Sequence, residues 1–197
     1  MTFADLGAGL RGLATFETAG VLLAITYLVL AIRQNIFCWV AGFLSSLIYL
    51  GVFFGARLYM ESALQIFYAV MAVYGFVQWR YGGADRAGVR ITTWSMPQHA
   101  TALSLIAGVS LAFGWFLSHT DAAFPYLDSL TTVAAMATTY MVARKILENW
   151  AYWFVIDSLS VYLYLARGLD LTAALFLLYL VLIVIGYRRW WQAWQAQ

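Results

Sequence analysis

Asp157 is the residue with the most chemistry to offer. It lies about ten residues into the apolar stretch NWAYWFVIDSLSVYLYLA, residues 149–166. At a helical rise of about 1.5 Å per residue this is roughly 15 Å deep, the middle of a bilayer. An Asp at the centre of a spanning helix costs about 2.5–3.5 kcal/mol on insertion scales, so such residues face a protein interior or a watery cavity. Trp150 and Trp153 precede it by seven and four residues, which puts all three on one helical face. Asn149 stands beside them, four residues before Trp153. Indoles offer flat faces that stack on a heteroaromatic ring or a cation. A carboxylate below them can balance a positive charge or hold ribose-type hydroxyls. The set suits a small, flat, polar or cationic aromatic ligand. The same spacing also fits interhelical packing by the Trp pair, with Asp157 paired to another helix.

A second polar face recurs at Glu61, Gln65 and Tyr68, spaced i, i+4, i+7. Gln65 is deep enough to need a partner, either a ligand amide or another helix. Glu61 lies near an edge, where water can solvate it. Glu17 and Asp128 are expected to start their helices, where the dipole and orphan N–H groups favour negative charge. Arg144, Lys145 and Glu148 form a charged edge in which Glu148 can engage either cation. His99 and His119 fall at opposite ends of one helix, and no metal-ligand cluster surrounds them. The lone Cys38 excludes an intrachain disulfide and reads as core. The chain has no glycine-rich phosphate loop, no HExxH and no Ser/His/Asp set in a plausible span. Neither an intramembrane enzyme nor an ATP-driven pump is supported, and no cofactor or metal is expected.

These residues are carried by a chain of 197 residues that is 64% hydrophobic and 10% charged. A soluble domain has about 45–50% apolar and about 25% charged residues. The fold class is therefore all-α integral membrane. A β-barrel is excluded because nothing alternates polar and apolar at period two. The net charge of +2 is too small to imply nucleic acid as a partner. Residues 1–17 lack the basic region and short apolar core of a cleaved signal peptide, so the first span is read as permanent. A crossing needs about 20 mostly apolar residues. Seven helices are expected, near 14–32, 36–55, 59–79, 98–118, 126–143, 147–166 and 171–190. Pro97 and Pro125 start the fourth and fifth, where a missing N–H costs nothing.

Charge sorts onto two sides. Arg33, Arg80, Arg86, Arg90, Arg144, Lys145, Arg188 and Arg189 fall on one, and Arg11, Arg57 and Arg167 on the other. Positive charge in short loops marks the cytoplasm, which puts the N-terminus outside and the C-terminus inside. Trp79, Trp94, Trp190, Trp191 and Trp194 lie at membrane edges on the cytoplasmic side, as an aromatic belt does.

The chain also repeats itself. Residues 16–79 lie over 127–190 without a gap, at a constant offset of 111. Arg33 falls on Arg144, Trp39 on Trp150, Tyr68 on Tyr179, Gly75 on Gly186 and Trp79 on Trp190, while Ser46 falls on Asp157. Trp39 is counted among the candidate site residues with its counterpart. Repeat one is 14–80, a linker helix is 98–118, and repeat two is 126–190. The single linker crossing makes the triplets parallel. This 3+1+3 layout is that of SWEET-like transporters, whose binding sites lie near the midplane at the repeat interface. The duplication can also be only a folding device.

Specific strings extend this reading. ARKILENWAYWFVIDSLSVYLY (143–164) resembles the R-K, E-N-W-x-x-W, Asp-or-Asn signature of the PnuC family of vitamin transporters. LQIFYAVMAVYGFVQW (64–79) resembles the family's L-Q-x-F-Y…Y-G-x-x-x-W segment, and YLDSLTTVAAM (126–136) its W-D-S entry into the fifth helix. The resemblance spans residues 14–190. It implies facilitated diffusion of nicotinamide riboside across the bacterial inner membrane, trapping by a cytoplasmic kinase, and a homotrimer. By motif position it implies that Trp150, Trp153, Asn149 and Gln65 line the substrate site, with Tyr68 and Asp157 beside them. Asp157 departs from carriers that have Asn there. Relatives carry thiamine or a flavin, so those substrates stay open, as does a membrane scaffold that moves nothing.

Overall fold

The computed structural model describes residues 3–55, 57, 59–120, 124–166, 168 and 170–197, with side chains from 18 onward except 59, 60 and 171. Among these residues the chain forms seven helices: α1 (Phe3–Ile32), α2 (Phe37–Gly55), α3 (Tyr59–Tyr81), α4 (Met96–Leu117), α5 (Pro125–Ala143), α6 (Asn149–Ala166) and α7 (Asp170–Gln195). The sequence places the inner boundaries to within a few residues. It misses two outer ones. α1 begins at residue 3 rather than 14, and α7 runs to 195 rather than 190. Hydropathy marks the apolar stretch, whereas the helical ladder continues until something breaks it, and no proline stands in either extension. Glu17 therefore lies within α1 rather than at its start. The side chains of Glu17 and Arg11, and residue Arg167, lie outside the described residues.

The helix starts follow local chemistry. Pro97 and Pro125 occupy the first turns of α4 and α5, where no N–H is needed. The Ser95 backbone N–H donates to Gln98 Oε1 at 2.8 Å, closing one orphan donor. Asp128 lies in the first turn of α5 and Glu61, exposed, in that of α3.

The chain divides into two compact units, Met1–Gly88 and Val89–Gln197. In the first, α2 packs against both α1 and α3. Gly20 admits Tyr49, Gly42 admits the Tyr27 ring, and Ser45 Oγ donates to Gly20 O at 3.0 Å. In the second, α4 packs on α5, α5 on α6, and α6 on α7. The α4–α5 seam is a stripe of Ile106, Ser110 and Gly114, four residues apart and buried. Gly114 lies under Tyr126, with no room for a Cβ, and Ser110 Oγ donates to Ser129 O at 3.4 Å. The rest of α4 exposes Leu103, Leu105, Val109, Leu111, Phe113, Trp115 and Phe116. A helix apolar on every side while buried on only one belongs in lipid.

Among the described residues, four helical segments are long and apolar enough to cross a membrane on their own: Phe37–Gly55, Glu61–Tyr81, Met96–Leu117 and Thr172–Gln195. α5 and α6 fall short of that measure because they carry polar side chains. α5 satisfies its hydroxyls within its own ladder. Ser129 Oγ donates to Pro125 O at 2.7 Å, Thr131 to Leu127 O at 3.0 Å, Thr138 to Ala134 O at 2.7 Å and Thr139 to Ala135 O at 2.8 Å. Back-bonding of this kind lets a Ser/Thr-rich helix live in an apolar medium. In α6, Ser158 Oγ donates to Phe154 O at 2.7 Å in the same way, and Asn149 meets a local backbone carbonyl through Nδ2 alone.

Candidate functional site

α6 starts after a tight turn in which Lys145 takes a left-handed conformation (φ 51°). The offset of 111 lays Lys145 on Gln34, which does the same before α2 (φ 53°). The turn sets Asn149 and Trp150 at the head of α6, both buried. Asn149 is fully buried, and its Nδ2 donates to Ile146 O at 2.6 Å. Its Oδ1 has no partner.

Trp150 is 2% exposed. Its six-membered ring lies on Gly186 of α7, where a Cβ would collide with it, and it meets Trp190 edge-on at 5.5 Å and 84°. Trp153 is half-buried against the Ile106, Ala134 and Ile156 cluster of α4, α5 and α6. The spacing brought the two indoles to one face of α6. The fold gives each a different neighbour, α7 for Trp150 and α4–α5 for Trp153. Asp157 is 5% exposed, with no hydrogen-bond or ion-pair partner for its carboxylate among the described residues.

α6 thus holds two buried polar atoms with no hydrogen-bond partner among the described residues, Asn149 Oδ1 and the Trp150 indole N–H, and beside them the buried Asp157 carboxylate, for which none is seen there either. A buried unsatisfied polar group costs about 1–3 kcal/mol, more when charged, so this run on one helix demands an explanation. A ligand that supplies donors to Asn149 and Asp157 and an acceptor to Trp150 would provide one.

The first unit carries the other candidates. Trp39 is 2% exposed, lies on Gly75, and meets Trp79 edge-on at 5.5 Å and 88°. Its indole N–H is also unpartnered. This is the arrangement of Trp150, Gly186 and Trp190, at the positions the offset pairs. Tyr27 adds an edge contact to Trp39 at 5.9 Å. Gln65 and Tyr68 are half-buried on α3, with Tyr68 edge-on to Phe67. Ser46, the counterpart of Asp157, is buried.

Sequence reasoning missed one group. Glu148, expected to engage Arg144 or Lys145, accepts the Trp94 N–H at 3.3 Å and lies 3.9 Å from His99 Nε2. His99 Nδ1 is 2.9 Å from the Tyr152 hydroxyl. These residues are about fifty positions apart in the chain, and no local pattern announces the contact. Among the described residues no three His, Cys, Asp or Glu side chains form a metal cluster.

Helices that are apolar on their exposed faces define an all-α membrane protein. The sequence profile described as nicotinamide mononucleotide transporter matches residues 14–192, and the chain belongs to that family, the family of PnuC transporters. It is 28% identical to the riboflavin/roseoflavin transporter RibM of Streptomyces davaonensis, over 89% of this chain and 84% of that protein. It is 23% identical to the nicotinamide riboside transporter PnuC of Escherichia coli, over 94% of this chain and 88% of that one. Its fold is similar to the crystal structure of the vitamin B3 transporter PnuC, with a TM-score of 0.70, at 21% identity, covering 100% of this chain and 94% of that one.

Proposed function

We propose that the chain is a passive carrier of nicotinamide riboside. The observation that carries this reading is Asp157, a carboxylate buried within α6 with no partner among the described residues. A fixed positive charge on a flat ring is the ligand chemistry that offsets it best. Asn149 Oδ1 accepts from the carboxamide or a ribose hydroxyl, and Trp150 and Trp153 supply aromatic surface. Gln65, Tyr68 and Trp39 are further candidates in the first unit. An unphosphorylated riboside fits better than a mononucleotide, because α6 has a carboxylate and no Lys or Arg between Asn149 and Ala166.

In this reading all seven helices cross a bacterial inner membrane, N-terminus outside, as a homotrimer with a 3+1+3 repeat. Uptake is facilitated diffusion, made one-way by phosphorylation in the cytoplasm. Riboflavin is the second reading, favoured by the 28% identity to a riboflavin/roseoflavin transporter. An isoalloxazine is neutral, so it would meet Asp157 through ribityl hydroxyls instead of charge.

Equilibrium binding of nicotinamide riboside, thiamine and riboflavin to purified protein tests the choice. Nicotinamide riboside is expected to bind tightest, with Asp157→Asn weakening it about 10- to 100-fold, the loss of one charged contact. Riboflavin preference with little effect of Asp157→Asn would move the protein to the flavin branch. Thiamine preference would keep the charge argument and change the substrate. Binding of none would leave a scaffold that moves nothing.

A further inference from the structure

The head of α6 is tied down by two separate pieces of the second unit. Residues 91–95 run beside the α5–α6 turn. Thr92 N donates to Lys145 O at 3.1 Å and Leu147 N donates to Thr92 O at 2.8 Å, a single parallel bridge between Thr92 and Ile146. Trp94 N then donates to Glu148 Oε2 at 3.3 Å. The first turn of α4 brings His99 to the same place. Its Nδ1 is 2.9 Å from the Tyr152 hydroxyl and its Nε2 is 3.9 Å from Glu148 Oε1. Its ring stacks on Tyr152 at 5.8 Å and meets Trp94 edge-on at 5.5 Å. The matching turn of the first unit is closed locally instead, by Asn35 Oδ1 accepting the Phe37 N–H at 2.9 Å.

Glu148 and Tyr152 bracket Asn149 and Trp150 in the chain, and Trp153 follows directly. Whatever fixes Glu148 and Tyr152 fixes the axial position and rotation of the α6 head. We propose that His99 is a positioning residue: by tying Tyr152 and Glu148 to α4 and to the 91–95 segment, it holds the ligand-facing part of α6 in its receptive register. This rests on the reading that α6 contacts the ligand.

His99 Nδ1 bonds the Tyr152 hydroxyl, as donor or acceptor according to its tautomer. Glu148, from the turn before α6, faces Nε2 at 3.9 Å, and side-chain exposures of 17% and 28% keep that pair partly in water. The short Tyr152 contact is therefore the firmer part of the tie.

The test measures nicotinamide riboside affinity for wild type, His99→Ala and His99→Gln. Gln keeps a polar group near Tyr152. His99→Ala is expected to bind about two- to fivefold more weakly, the scale of one lost hydrogen bond, with His99→Gln restoring much of the loss. A second readout needs no ligand: hydrogen exchange at the Thr92 and Leu147 amides. It should quicken in His99→Ala and Glu148→Gln. Unchanged affinity in His99→Ala, no rescue by His99→Gln, or unchanged exchange in both variants would overturn the proposal. Faster exchange without riboside binding by wild type would instead mean that the tie exists and the substrate reading fails.

Discussion

At the residue scale, two of the buried indoles are seated on glycines. Trp39 and Trp150 each occupy the space where a Cβ of Gly75 or Gly186 would be, and each meets a second Trp one turn further along that helix. Overpacking a filled interior costs about 1–3 kcal/mol. Gly75→Ala and Gly186→Ala are each expected to lower the thermal unfolding midpoint in detergent by several degrees. Gly51→Ala, where a Cβ meets nothing, should leave it unchanged. An equal midpoint for all three variants would show that the Trp seats yield without strain. Sequence alone reveals the pairing of these residues by the repeat. It does not reveal that each Trp sits on a Gly thirty-six residues away, because that depends on which helix faces pack.

At the element scale, α6 joins polar atoms left unmatched among the described residues to a head tied to distant segments. α5 answers its polar side chains with its own carbonyls, whereas α6 leaves Asn149 Oδ1 and the Trp150 N–H unmatched. One backbone donor of the tether stands at residue 92. Thr92→Pro removes that N–H and is expected to speed hydrogen exchange at Leu147 by about fivefold or more, consistent with a lost bond of roughly 1 kcal/mol. Thr92→Val keeps the donor and should exchange as wild type does. Equal exchange in both would mean that side chains, not the bridge, hold the α6 head. The helices were legible in the sequence because hydropathy, Pro97 and Pro125 act locally. The tether was not, since Thr92 and Ile146 are joined only by tertiary folding.

At the scale of the whole molecule, orientation follows from charge. Arg33, Arg80, Arg86, Arg90, Arg144, Lys145, Arg188 and Arg189 are expected on the cytoplasmic side. Cys38, the one native thiol, is fully buried, so the background to thiol labelling is low. Arg86 and Arg57 are both exposed in connections at opposite ends of α3. In intact cells, Arg57→Cys is expected to react with a membrane-impermeant maleimide and Arg86→Cys to react only after permeabilisation. The reverse pattern would invert the topology and place the His99 tie outside.

The sequence by itself determined the membrane class, the helices, the duplicated Trp, Gly and Arg positions, and the family. Each rests on composition, periodicity or a contiguous string, all of which exist before folding. Only the tertiary structure decided that Trp150 turns to α7 while Trp153 turns to α4 and α5, that Glu148 meets His99 and Trp94, and that Asp157 is buried. Those outcomes depend on helix rotation and on which distant segments approach. Both are fixed by the sum of many weak packing contacts, which no local run of residues specifies.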